Sequence, residues 1–286
     1  MATSLINLAL LYVNQSEWEL AFSSFIRASE IEEQNLGDIL VSASEVRRQR
    51  YINTLADSTS ASISFNINNA STNSESAKLA FTNILRRKGR VLEATTTTAQ
   101  QLQQQLTPAN QALLTELNAA RTQLSNLRFS GLGNRTPAQY QDELSQLENT
   151  VEDLEEQLAR NSTEFQAASE PVTTETVQAF IPTNAALVEL IRYYPYNYDN
   201  PQKPWSNPHY AAYILTHSGQ IQTVDLGEAA AIDRSVAEFA QALQTQSNNV
   251  KTLGRQLDQQ LMAPIRELVG NKSHLLISPD SALNLF

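Results

Sequence analysis

Apolar positions fall into three regimes along the chain. The most regular is helical. Tyr140, Leu144, Leu147, Val151, Leu154, Leu158 and Phe165 recur at spacings of 4, 3, 4, 3, 4 and 7 residues, a heptad stripe that predicts one long helix. Ahead of it, Leu113, Leu117, Leu124 and Leu127 keep one side of a helix that Thr107 caps and Pro108 opens. Ser130-Gly131-Leu132-Gly133-Asn134-Arg135 turns the chain. Thr136-Pro137-Ala138-Gln139 then restarts it as a capping box, with Gln three residues after the cap. The two stripes predict an antiparallel, coiled-coil-like helical hairpin near 108–165, each stripe satisfied by the other.

The first 35 residues predict a helix pair. Leu5, Leu8, Ala9 and Tyr12 share one face, and after Asn14-Gln15-Ser16 the pattern restarts with Ala21, Phe25 and Ala28. Residues 36–90 continue as helix with a polar interruption. Ser58–Asn69 and Ser71–Ser76 read as loops, with Ile63, Phe65 and Ile67 alternating like a short extended piece; helical spacing returns over Ser76–Glu93. At Glu170-Pro171 the character changes. Residues 185–191, 210–215 and 221–226 predict strands, the last two joined by the turn His217-Ser218-Gly219-Gln220. Two helices follow, marked by Ile232, Val236, Phe239 and Leu243, and then by Val250, Leu253, Leu257, Leu261, Ile265 and Leu268. Pro264 is expected to break or kink the second. His274-Leu275-Leu276-Ile277-Ser278 has the uninterrupted apolar run of a buried strand.

Composition narrows the function classes. The 286 residues carry 20 Lys+Arg against 30 Asp+Glu, a net charge of −10, which argues against a general grip on nucleic acid or an anionic membrane. Residues 93–170 hold 11 acidic and 4 basic side chains, as a solvated helical face does. Arg86-Arg87-Lys88-Gly89-Arg90, with Arg47, Arg48 and Arg50, is read as a charged helical face answering nearby acids rather than as an RNA contact. The chain has no cysteine, so it offers no disulfide, cysteine–metal site or thiolate nucleophile of its own. It has three histidines, of which His209 and His217 flank a strand and His274 stands at a strand entrance. No Gly-x-Ser-x-Gly elbow and no Gly-rich phosphate loop occurs. No metal or cofactor is expected. With no signal peptide and no run approaching a membrane span, the chain is expected in the cytoplasm.

Residues 1–35 resemble a single tetratricopeptide repeat: large apolar, Leu8, small Ala9, aromatic Tyr12, then Ala21, Phe25 and Ala28, with Glu33 near the place of the usual closing proline. The C-terminal part resembles the beginning of a CHAT domain, the caspase-like module found with such repeats in bacteria, cyanobacteria especially. The residues that carry it are Ala186–Leu190, Tyr210–Leu215, Val224–Ala229 and above all His274-Leu275-Leu276-Ile277-Ser278-Pro279-Asp280-Ser281-Ala282-Leu283-Asn284-Leu285. Ile84–Arg90 and Gln105–Pro108 resemble the helical region that joins repeats to that domain. The resemblance implies an α-rich N-terminal part (repeat-like helix pair plus helical hairpin) followed by an incomplete caspase-like α/β part. It divides the chain into 1–35, 36–170 and 171–286. It also implies that complete members are cysteine peptidases, or peptidase-like signalling proteins switched by a partner. Their catalytic His and Cys would lie past Phe286, so no catalytic residue is carried over.

The expected function is therefore non-catalytic: protein–protein contact or scaffolding through the repeat and helical region. The alternatives are a truncated product without independent function and an enzyme of another class. Candidate partner-binding residues are Tyr12 and Phe25 on the repeat, and Tyr194, Tyr196 and Trp205 in the aromatic stretch 193–208, whose plainer and favoured reading is a proline-pinned connection between two strands, folded over the sheet.

Overall fold

The computed structural model describes residues 1–42, 45–101, 108–133, 135–161, 172–198, 200 and 202–285. Thr107, Asn134, Phe165, Glu170 and Pro171, on which parts of the reading above rest, lie outside them. The protein is mostly helical, with a small mixed four-stranded sheet. Two compact units form, and neither is a continuous stretch: one comprises 1–31, 55–87 and 172–286, the other 32–54 and 88–171.

The helix pair is α1 (Ala2–Asn14) and α2 (Trp18–Ser42). Ala9, Ala21 and Ala28 have no exposed surface, so small side chains bring the two helices close while Phe25 fills the space beside them. α3 (Glu45–Ser64) then runs on into a π-helical turn, Phe65–Asn69, before α4 (Ser74–Gln101). Here the expectation of a loop or extended piece over 58–69 is corrected. The serines and threonines that suggest a loop turn their hydroxyls back onto their own helix: Ser58 and Thr59 donate to the Leu55 carbonyl and Ser62 to that of Thr59. Ile63 and Phe65 alternate not across a strand but between two cores, one against the sheet and one against the helix pair. Asn73 stops the short loop by accepting the amides of Glu75 and Ser76 at the start of α4.

After a short helix α7 (Thr174–Ala179) come β1 (Ala185–Tyr193), β2 (His209–Thr216) and β3 (Ile221–Glu228), then α8 (Ala229–Gln244), α9 (Val250–Val269) and β4 (His274–Ser278). The sheet order is β3-β2-β1-β4, antiparallel except for the parallel β1–β4 pair. Both faces of β1 and β2 are covered, which is why nearly every residue in them is buried, Glu189 included. β4, expected as a buried strand, is instead a largely exposed one, because it is the edge of the sheet: Leu276 and Ile277 are 44% and 47% exposed. On one face Ala186, Val188, Leu190, Tyr210, Ala212 and Ile214 meet Ile232 and Val236 of α8 and Leu257, Ile265 and Val269 of α9. On the other, Ile191, Tyr193, Ala211, Tyr213 and Leu215 meet Phe81, Ile84 and Leu85 of α4 and Ile63 of α3. α9 continues through Pro264 instead of ending there. The carbonyl that loses its donor is that of Gln260, an exposed residue that water can serve.

In the second unit, α5 (Pro108–Ser130) and α6 (Pro137–Asn161) form the expected hairpin. Leu117, Leu124 and Leu127 bury against Val151, Leu154 and Leu158. The capping box closes as read: the Thr136 amide donates to Gln139 Oε1 at 3.0 Å and the Gln139 amide to Thr136 Oγ1 at 3.2 Å. Leu154→Ala should therefore lower stability by about 2–5 kcal/mol, with half-buried Leu147→Ala costing less. Urea titration of the two variants against the parent checks this; an unchanged midpoint for Leu154→Ala would mean that the stripe is not packed.

Candidate interaction surfaces

The aromatic stretch between β1 and β2 folds back on itself. Tyr196 and Trp205 form an isolated bridge, the Asn197 amide donates to the Pro204 carbonyl at 2.6 Å, and the Ser206 amide to that of Pro195 at 2.9 Å. Proline supplies two acceptors that need no donor of their own in return. The outgoing strand is then pinned to α3. Tyr194 donates its amide to Ser60 Oγ (3.2 Å) and Tyr196 its amide to Ser64 Oγ (2.9 Å), two hydroxyls one helical turn apart. The rings follow. Tyr196 lies 4.8 Å from Tyr198 and 5.0 Å from Trp205, the latter edge to face.

That geometry decides where the five candidate residues sit. Tyr196 and Trp205 pack against the core of the helix pair, together with half-buried Tyr12. Phe25 is only 1% exposed and lies 5.3 Å from Phe65 within that core. Four of the five thus meet inside the chain, where their ring area joins the helix pair to the sheet segment. Tyr194 alone points outward, 41% exposed, under the Arg192 guanidinium.

Arg86 and Arg87 of the basic run are likewise drawn inward. Arg86 donates to the Ser29 hydroxyl (3.0 Å) and to the Ser29 and Val172 carbonyls. Arg87 is half-buried and sits 3.5 Å from Asp280, whose same oxygen accepts the Arg192 amide at 2.9 Å. Burial pulls the Arg87 guanidinium below the ordinary arginine value, and the Asp280 carboxylate partly opposes that shift. The Ser278-Pro279-Asp280 turn is thus a clasp between α4 and the end of β1. Asp280→Ala should cost about 1–3 kcal/mol, because it leaves a half-buried cation and a strand-end amide without this acceptor. A thermal melt at matched ionic strength reads this out, and a shift within error would remove the clasp from the account.

The histidines do not converge. His209 Nδ1 lies 3.0 Å from Asp225, which also accepts the Gly227 amide. His217 donates Nδ1–H to the Ile181 carbonyl at 2.7 Å. His274 Nδ1 lies 3.0 Å from the Asn184 amide group and 2.9 Å from Ser273 Oγ. His209 and His274 pair with opposite ends of β1, which puts them roughly 26 Å apart. The Ser273–His274 contact is exposed and joins neighbouring residues at the mouth of β4, where both also tie to Asn184. Among the described residues no group of three or more His, Asp and Glu is arranged to hold a metal ion, and no helix is long and apolar enough to cross a membrane.

No protein-family model, curated protein or solved structure matches the chain.

Concavity is modest. A groove of about 640 Å³ runs between the start of α4, α7 and the β2–β3 turn, lined by polar side chains and by the paired Lys78 and Glu175. Exposed apolar side chains are more informative, and one corrects an expectation: Leu8, read on one face with Ala9 and Tyr12, stays outside the core, because Ile6, Ala9, Leu10 and Val13 take the buried face. Leu8 and Leu11 stand on the outer face of α1, 37% and 50% exposed, with Trp18 and Leu20 exposed at the start of α2. At the hairpin turn Phe129 is 96% and Leu132 46% exposed. The signal for the first group was present: residues 5–13 are apolar nearly all round, more than one buried face needs. Phe129 falls outside the leucine stripe of its helix, and that was its mark.

Proposed function

We propose that the chain is a non-catalytic, protein-binding part of a repeat–CHAT protein of the cytoplasm. One observation carries the reading. α1 and α2 pack through Ala9, Ala21 and Ala28, yet α1 turns Leu8 and Leu11 outward. A helix pair that buries one face on its own protein and keeps a second apolar face outside is how a repeat unit meets a neighbour or a partner. The layered α/β part, with its Ser278-Pro279-Asp280 clasp, supports the CHAT resemblance. By that resemblance the complete protein is a cysteine peptidase or peptidase-like signalling protein, and a thiolate would have to come from outside these 286 residues, which hold no cysteine.

Affinity purification from cells of the source organism tests the reading, comparing the parent chain with a Leu8→Asp/Leu11→Asp double variant. Both positions are exposed, so the variant should melt with the parent and lose most of its specifically bound protein. An identical set of bound proteins at unchanged melting temperature would contradict the proposal.

A further inference from the structure

The first half of β3 is an open sheet edge that lies along a groove, and its backbone is set out for one kind of occupant. β3 forms one edge of the sheet, beside β2. The Thr216 amide donates to the Gln220 carbonyl at 3.2 Å and the Gly219 amide to that of Thr216 at 2.9 Å, which closes the β2–β3 turn. Bonded pairs alternate along an antiparallel ladder. Gln222 and Val224 therefore turn their amides and carbonyls into the sheet, toward Ile214 and Ala212. Those of Ile221 and Thr223 turn outward, and among the described residues nothing bonds to them. Lysine, proline or a bulge usually blunts such an edge. Ile221-Gln222-Thr223-Val224 has no charge and no proline, and the bulge of this ladder lies further on, at Tyr210 and Ala211.

The groove of about 640 Å³ follows this edge, and Ile221, Gln222 and Thr223 all line it. Its walls stand on both faces of the sheet. Lys78 of α4 and Gln178 of α7 are on one side, and Leu268 of α9 is on the other, the face of Ile214 and Gln222. The first wall is held in place. Lys78 pairs with Glu175 between α4 and α7, Thr82 and Thr174 meet hydroxyl to hydroxyl at 3.0 Å, and Gln178 Nε2 donates to the His217 carbonyl at 2.9 Å. The space between the walls has the place of a fifth strand, with unused donors and acceptors along its floor. Chemistry then narrows the occupant. The α4–α7 wall is polar, with two carboxylates, Glu75 and Glu175, to the one ammonium of Lys78, so it suits polar side chains that are not acidic. Leu268 across the groove suits apolar ones. We infer that β3 takes an added strand from a protein partner, an extended segment in which polar, non-acidic side chains alternate with apolar ones. The inference rests on the protein-binding reading above and gives it a second site and a mode of recognition.

The test pans a displayed library of random heptapeptides on the purified full chain and titrates the enriched peptides against the parent, Thr223→Pro and Leu8→Asp/Leu11→Asp chains. Proline at 223 removes an amide that β3 does not use within its own sheet, so the melting temperature should hold. The enriched peptides should show the polar–apolar alternation and bind Thr223→Pro about tenfold more weakly than the parent, with the Leu8→Asp/Leu11→Asp chain unaffected. A second readout leaves the protein untouched. Methylating the amides of an enriched peptide one at a time should abolish binding at every second position only, because alternate amides of an added strand face β3. No enriched peptide, equal affinity for Thr223→Pro at unchanged melting temperature, a methylation pattern without period two, or Thr223-dependent pairing of two parent chains would each overturn the strand site. Peptides lost by the Leu8→Asp/Leu11→Asp chain but kept by Thr223→Pro would overturn it while the protein-binding reading stands.

Discussion

Residues 172–286 produced alone should give no cooperative unfolding transition. This segment contains every strand among the described residues, and the sequence reads it as an incomplete α/β part. One face of its sheet, however, is covered by residues 55–87: Phe81, Ile84 and Leu85 lie over Tyr193, Ala211, Tyr213 and Leu215. Phe81 and Tyr213 are stacked with centroids 6.2 Å apart. Uncovering Tyr193 and Tyr213 alone returns on the order of 300–500 Å² to water, up to roughly 10 kcal/mol at about 25 cal/mol per Å². That is comparable with the whole stability of about 5–15 kcal/mol that a domain has. The same cut removes the acceptors Ser60 and Ser64 from the aromatic connection and Arg87 from Asp280. A urea titration followed by circular dichroism is the check. The isolated segment should show a broad, sloping loss of signal and a tendency to aggregate through its bared apolar face. A sharp, reversible transition would mean that the helical cover is dispensable.

The full chain should lose stability steeply above about pH 10. Burial pushes the hydroxyls of Tyr193, Tyr198, Tyr210 and Tyr213 well above the ordinary tyrosine value. Further causes reinforce it: the Asp225 carboxylate near Tyr193, Tyr196 near Tyr198, and the hydrogen bond of Tyr210 to Asp233. The sign follows from proton counting. Above pH 10 the unfolded chain has released these protons and the native chain still holds them, so raising the pH favours unfolding. The stabilising contribution is complete below pH 10 and fades as the pH rises above it, by up to about 1.4 kcal/mol per pH unit for each tyrosine kept neutral. Melting temperatures between pH 8 and 11.5 measure it. Tyr213→Phe should flatten the slope while costing about 1–3 kcal/mol at pH 8, since its hydroxyl donates to buried Asn66 at 3.0 Å. A melting temperature independent of pH to 11.5 would contradict the burial of these four groups.

What the sequence reveals here tracks how local each cause is. The hairpin was legible because heptad spacing and the Thr136–Gln139 box are decided within a few residues. The positions of the four strands were legible from their own composition, and so were α8 and α9; the burial expected of β4 was not, because its apolar run does not show that it is the sheet's edge. The serine-rich end of α3 was not, because its hydroxyls bond back to their own helix and what it packs on and accepts from, the amides of Tyr194 and Tyr196 among them, lies more than 130 residues away. The same distance hid the fate of Tyr12, Tyr196 and Trp205. Their residue types suit a partner interface, and the chain itself is what they bind. Phe25 is core for the simpler reason that Ala21 and Ala28 bring the helices close around it. Among the apolar side chains that stay exposed, Leu8 with Leu11 and Phe129 are only weakly marked in the sequence, by an α1 that is apolar nearly all round and by a position outside the leucine stripe.

The central claim is that this chain acts by holding proteins and not by cutting them. The most direct measurement is turnover: purified full chain incubated with a proteome-derived peptide library, with new termini counted by mass spectrometry against a heat-denatured control. The account predicts no cleavage above the control. Cleavage that disappears in Ser273→Ala or His274→Ala would contradict it, because it would make the exposed serine–histidine contact at the mouth of β4 a catalytic pair.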